Sequence, residues 1–184
     1  QKPQNVLLIV VDTLRADRLG VYGDDRGLTP AIDALAAQGI LFENVVAQSA
    51  WTSPATASIL TGTDPTTHGI RGLGDTIDPE TPAFATILAA EGFSTAAITT
   101  NINVRAELGF SRGFASYLYL PESEARKGFY AEAEEVQAEA MAWLDTEASK
   151  PFFLYLHLSE PHAPYAPAPE AVNRFVRGTP SAAI

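Results

Sequence analysis

The chain has 184 residues, 46% of them hydrophobic, a size that closes one compact domain around a core and leaves too little for two. Lys and Arg total 12 against 22 Asp and Glu, and the net charge of −10 repels nucleic-acid phosphates and anionic membrane surfaces, so no nucleic-acid partner is expected. The absence of cysteine excludes disulfides, thiolate metal sites and cysteine nucleophiles, and the longest aliphatic run, Val6 to Val11, is far short of the ~20 residues that span a bilayer.

Asn5 to Val11 (NVLLIVV) is a continuous β-branched and leucine run, the pattern of a parallel strand covered on both faces, and it ends at Asp12. Three segments then share one punctuation, a hydroxyl residue, Pro, an apolar stretch and Gly: Thr29-Pro30 to Gly39, Ser53-Pro54 to Gly62 and Thr81-Pro82 to Gly92. Those are the N-cap, first-turn and C-terminal signals of three helices. Ile40 to Ala47 and Ser94 to Thr100 read as strands between them. Asp64 to Glu80 and Ile102 to Gly128 carry no sustained period and read as surface loops.

Tyr130 to Leu144 predicts an amphipathic helix, with Ala133, Val136, Ala140, Trp143 and Leu144 on one stripe and Glu132, Glu134, Glu135 and Glu139 largely off it. Phe152 to Leu158 (FFLYLHL) is a further strand, followed by the Pro-rich Pro161 to Pro169 and by Glu170 to Ile184, which holds no strand signal. Strand and helix alternate, so the fold class is α/β, a mainly parallel sheet flanked by helices. About four strands is small for such a sheet. Residues 1–184 are therefore expected to be the N-terminal part of a single larger domain.

In open parallel sheets ligands collect beyond the C-terminal ends of the strands. The sequence delivers Asp12 and Thr13, Trp51 and Thr52, Thr100 and Asn101, and His162 there. Asp12 is a hard oxygen donor suited to a divalent cation, or else a loop residue capping the next turn. Thr52 adjoins a helix start, where unpaired amides favour an anion; its hydroxyl is a nucleophile or an ordinary cap. His162 lies in a proline-stiffened loop, Ser159 to Tyr165, and either donates to an anionic oxygen or is solvated. His157, inside an apolar strand, reads as a satisfied core residue, and His68 as ordering its turn. Gly69 to Gly74 (GIRGLG) lacks the order of a dinucleotide fingerprint.

These residues also resemble a family. Asn5 to Asp17 (NVLLIVVDTLRAD), Tyr22-Gly23 and Thr29 to Phe42 look like the opening of the sulfatase family within the alkaline phosphatase superfamily. Trp51 to Gly62 (WTSPATASILTG), with Pro65 and His68-Gly69, is similar to its nucleophile motif, and Leu156 to Tyr165 (LHLSEPHAPY) resembles its later HxPY loop. The sequence departs from the formylglycine pattern C/S-x-P-x-R by carrying Thr52 and Thr56. One of the paired acidic ligands is replaced by Thr13, and the Lys and His of the substrate pocket align near Thr100 and Ile102.

The resemblance implies an alkaline-phosphatase-like fold and a metal-dependent hydrolase of sulfuric or phosphoric esters, in a branch where unmodified Thr52 is the nucleophile. It implies Asp12 and Thr52 as metal ligands, His162 and Asn101 as substrate contacts, and calcium, zinc or manganese as the cofactor. The substrate would be a small-molecule or glycan sulfate or phosphate ester. A phosphoryl-group transferase and a non-catalytic binding domain on the same fold are the alternatives. The remaining ligands are expected beyond Ile184, so the chain is expected to bind metal weakly and to be inactive by itself. The start at Gln1 is compatible with a trimmed, exported protein, periplasmic or extracellular.

Overall fold

A computed structural model describes residues 5–121, 130–147, 151–165, 167 and 172. Four strands, β1 (Asn5–Val11), β2 (Ser94–Thr99), β3 (Ser116–Tyr119) and β4 (Phe152–Leu158), form one parallel sheet in the order β1-β4-β2-β3. Helices α1 (Pro30–Ala36), α2 (Thr52–Thr61), α3 (Pro65–His68) and α4 (Phe84–Ala90) lie between β1 and β2 in sequence, and α5 (Ala133–Glu147) lies between β3 and β4. The α/β class read from the alternation is the observed one.

The central strand β4 separates the core into two layers because successive side chains of a strand point to opposite faces. Phe153 and Tyr155, with Ala97 of β2, join Ala57 and Leu60 of α2 and Ala85 of α4 in one apolar cluster. Leu154 and Leu156, with Ala96 and Ile98 of β2, pack on Val136 and Ala140 of α5 in the other. Aromatic rings thicken the first layer: Phe114 stacks on Phe153 and Tyr155, and Phe84 meets Phe153 edge-on. The amphipathic stripe of α5 therefore buries the face that its sequence pattern predicts.

Register then positions the site. Val11 pairs with Leu158 and Thr99 with His157, so β1, β2 and β4 end together along one edge of the sheet. Asp12 and Thr100 continue the ladder by one hydrogen bond each, Asp12 N–H to Leu158 C=O at 2.8 Å and Thr100 N–H to His157 C=O at 3.2 Å.

Several expectations are corrected. β1 is covered on one face only: Val6, Leu8 and Val10 pack on the first cluster, whereas Leu7 and Ile9 are 53% and 49% exposed. The helix α5 packs on β2 and β4 rather than on these two side chains. Residues 40–47 form no strand, and Ile40 and Val46 are 84% and 86% exposed. β-branched residues favour a strand where a neighbour completes the hydrogen-bond ladder, and none of the described strands lies beside them.

Conversely, the stretch read as a loop from residue 102 contains β3 and two 3-10 turns, Ile102–Val104 and Ala106–Leu108. Four residues are too few to show a period; pairing with β2 makes Ser116–Tyr119 a strand. The predicted loop 64–80 contains α3, whose first amides are accepted by Asp64 Oδ1, Thr66 N–H at 2.7 Å and Thr67 N–H at 3.2 Å. Helix starts move by a few residues, to Thr52, Phe84 and Ala133. Gly62 and Gly92 terminate α2 and α4 in the left-handed region, at φ 68° and 88°. The absence of a strand in 170–184 concerns residues that, apart from 172, lie outside those described, as do 166, 168 and 169 of the Pro-rich stretch.

Candidate active site at the sheet edge

Asp12 follows β1 directly, and three donors from separate elements converge on its Oδ2. The Thr52 hydroxyl donates at 3.0 Å, Asn101 Nδ2 donates at 2.8 Å, and His157 Nε2 stands at 3.5 Å. Among the described residues, none of the carboxylate's hydrogen bonds goes to Oδ1. Burial pushes the Asp12 carboxyl up, but the His157 and Thr52 contacts and the His157 and His162 charges together outweigh it, leaving it below the usual carboxylate value. It is an anion at neutral pH.

Thr52 is the first residue of α2, not the residue before it as the sequence reading has it. The N-cap is Trp51, in extended conformation and with no side-chain cap. Pro54 has no N–H, and the Ala55 N–H is taken by Trp51 C=O at 3.1 Å. The amides of Thr52 and Ser53 thus stand at an uncapped helix end, beside the Thr52 hydroxyl, where the helix dipole favours negative charge. Ser53 does not cap; its hydroxyl donates to Asn103 C=O at 2.9 Å and ties α2 to the turn after β2.

A cavity of about 230 Å³ opens here, lined by Asp12, Thr13, Trp51, Thr52, Leu73 and His162, among others. A second cavity of about 310 Å³ adjoins it, sharing Asp12, Thr13, Trp51 and Thr52 and reaching His157. His162 reaches the first cavity from the loop after β4. Its Nδ1 donates to Ala163 C=O at 2.6 Å, and Tyr130 stands over it, hydroxyl 3.2 Å from Nδ1 and ring edge-on at 5.5 Å. Thr13 sits at φ 57°. A β-branched residue in the left-handed region is strained, and such strain clusters at functional sites.

The four site residues named from sequence, Asp12, Thr52, Asn101 and His162, are all found at this edge. Asn101 differs in what it does. Its Nδ2 is committed to Asp12 and its Oδ1 accepts Asn103 N–H at 2.9 Å, so both ends of the amide are engaged within the protein rather than turned to a ligand. Thr100, where the resemblance expects a cation, is buried against Ser159, to whose Oγ it donates at 3.0 Å. His157 was missed. It is buried as expected of a core residue, but it borders the site. His68 does order its turn: Nδ1 accepts Ile70 N–H at 3.2 Å, and Nε2 lies 3.0 Å from Ser58 Oγ.

Asp12 and Thr52 are hard oxygen donors side by side, and among the described residues no hydrogen bond reaches Asp12 Oδ1. That suits a divalent cation, which binds oxygen and compensates a half-buried negative charge. The set is partial, since such ions take about four to eight donors. Among the described residues no three His, Asp or Glu side chains gather to hold a metal. No described helix is long and apolar enough to cross a membrane.

Comparison with known proteins gives the family and the fold. The sulfatase family model matches residues 4–183. Human iduronate 2-sulfatase is 51% identical over 63 residues, 34% of this chain and 11% of that protein. A structure solved in complex with its substrate D-glucosamine-2-N,6-O-disulfate superposes with a TM-score of 0.79 at 24% identity, over 98% of this chain and 40% of that one. The phosphonate monoester hydrolase of Agrobacterium radiobacter superposes with a TM-score of 0.74 at 26% identity, over 91% of this chain and 43% of that one. The chain spans less than half the length of each.

Proposed function

Because the chain belongs to the sulfatase family, we propose that it forms part of a single catalytic domain hydrolysing sulfate esters, with Thr52 as nucleophile in place of formylglycine. The observation that carries this is the Thr52 hydroxyl at 3.0 Å from Asp12 Oδ2, between residues 40 positions apart, at an uncapped helix end. A Thr at the position of a Cys or Ser gives no aldehyde, so its own oxygen is the group left to attack.

A divalent cation bound to Asp12 and Thr52 would supply Lewis acidity, lowering the hydroxyl pKa and countering charge on the ester oxygens. Asp12 accepts the Thr52 hydrogen bond, which turns the lone pairs of Oγ to the cavity and gives the proton an acceptor as the Oγ–S bond forms. The bond from sulfur to the leaving alcohol breaks in line and the leaving oxygen takes its proton from water, with His162 lining the cavity beside it. The amides of Thr52 and Ser53 stabilise the negative charge that develops. Water then cleaves the sulfo-threonine and regenerates the hydroxyl. Asn101 keeps Asp12 in place rather than touching the ester.

The test is the full-length protein and its Thr52→Ala variant assayed on aryl sulfate, phosphomonoester and phosphodiester substrates, each with added zinc, manganese or calcium. Sulfate-ester hydrolysis lost in the variant is expected. Activity that survives Thr52→Ala refutes the nucleophile. A preference for phosphorus esters moves the substrate class and keeps the mechanism, and inactivity on all three leaves the fold as a binding domain.

A further inference from the structure

His157 is 1% exposed, yet its Nε2 is the buried side-chain atom that, among the described residues, has no hydrogen-bond partner. An unsatisfied buried N–H is costly, and such groups are rare in folded proteins. An aliphatic residue on this strand would avoid the cost. What Nε2 faces is Asp12 Oδ2 at 3.5 Å, longer than a formed hydrogen bond by about half an ångström.

The other side of the ring is held. Nδ1 lies 2.6 Å from the Tyr155 hydroxyl, and Thr56 of α2 hydrogen-bonds the same hydroxyl. With a neutral ring, protons along this row have one consistent arrangement. A carboxylate has no hydrogen to donate, so the nitrogen facing it carries one. Nδ1 is then the acceptor, Tyr155 O–H the donor to it, and the Tyr155 oxygen accepts from Thr56. The row runs in one direction, Thr56 to Tyr155 to His157 to Asp12. Thr52 and Thr56 are four apart on one helix and so share a face, and α2 thus carries both the nucleophile and the first member of the row. Thr56 occupies the position where the family pattern has Arg, and here a 2%-exposed hydroxyl stands in its place.

We propose that His157 is a positioning residue: aimed by Tyr155 and Thr56, its Nε2–H holds Asp12 Oδ2, fixes one carboxylate rotamer and leaves Oδ1 to the cation. Asn101 and Thr52 grip the same oxygen from the other elements, so His157 completes a three-sided hold. The role rests on the reading of Asp12 and Thr52 as the reacting centre. Partners that orient a metal ligand change affinity by about 10–100-fold when removed.

Two measurements test it. In full-length, metal-stripped protein labelled with 15N-histidine, His157 is expected to carry its proton on Nε2, and Tyr155→Phe to shift that proton toward Nδ1. A wild-type ring with Nε2 unprotonated overturns the proposal. Isothermal titration with Mn²⁺ then compares wild type with His157→Leu, His157→Gln and Asp12→Asn. His157→Leu is expected to weaken binding by about tenfold, and His157→Gln, whose amide N–H reaches the same oxygen, to recover most of it. Where the Leu variant does not fold, Tyr155→Phe carries the comparison, weaker in the same direction. Wild-type affinity in Asp12→Asn removes the reacting-centre reading itself. Binding lost in Asp12→Asn but intact in His157→Leu and Tyr155→Phe removes the positioning role alone.

Discussion

Replacing Asp12 by Asn keeps the shape of the side chain and removes its charge, and the geometry around Oδ2 predicts a large effect on chemistry with a small one on folding. The amide oxygen can take the place of Oδ2 and still accept from Asn101 at 2.8 Å and Thr52 at 3.0 Å. Each of those bonds falls from a charge-assisted ~1.5–3 kcal/mol to a neutral ~0.5–1.5, a loss of about 2–3 kcal/mol over the two. The opposing effect is relief from burying a charge, the largest single influence on this carboxyl, and it cancels much of that loss. The expected net destabilisation at pH 7 is about 1 kcal/mol, or roughly 2–4 °C in Tm.

The pH dependence has a definite sign. A carboxyl whose folded pKa lies below its unfolded value stabilises the fold above pH ~4, and that contribution is lost as pH falls through the folded value. The stability difference between wild type and Asp12→Asn should shrink as pH falls below ~4. Turnover, by contrast, should fall by about a hundredfold or more. Calorimetry across that pH range, alongside sulfate-ester turnover, decides the matter. A Tm loss above about 10 °C with turnover reduced only in proportion would make Asp12 a structural residue and refute the reasoning.

Three further outcomes are expected. Gly113 has φ +85°, and a Cβ there would lie 2.2 Å from Thr86 N and 2.6 Å from Ala85 C, both backbone atoms. Gly113→Ala should therefore cost roughly 2–5 kcal/mol and lower Tm by about 5–15 °C in a thermal melt. Burial, the largest influence, holds the His68 ring below its ordinary value near 6.5, and protonation would turn Nδ1 against the Ile70 N–H that it accepts. Stability should decline as pH falls below ~6.5, by up to about 1.4 kcal/mol per pH unit, and denaturant titrations of His68→Gln should lack that slope. Tyr130→Phe removes the hydroxyl beside His162 Nδ1 and should lower kcat/KM about fivefold, the equivalent of ~1 kcal/mol, with Tm unchanged.

Much of the frame was legible because local chemistry suffices for it. NVLLIVV and FFLYLHL are long enough to be strands in any arrangement, and the bounds of Phe152–Leu158 match the run read from sequence. The Pro and Gly punctuation located α1, α2 and α4, missing mainly their first residues. A strand end and a helix start made Asp12 and Thr52 candidates, and the resemblance of the flanking motifs to a known family singled them out. Strand signals in 40–47 and 116–119 misled in opposite directions, since an isolated apolar run needs a neighbour and a four-residue strand is made by one.

What the linear chain determined is the set of elements and the residue types at their ends. Only the tertiary structure decided that Asp12, Thr52, Asn101 and His157 meet at one oxygen, because that depends on β4 inserting between β1 and β2 in a particular register. The same insertion turned His157 from a core residue into a neighbour of the site and engaged both ends of the Asn101 amide. Side-chain periodicity reports which face of a strand is buried; it carries no information about which distant carboxylate is buried with it.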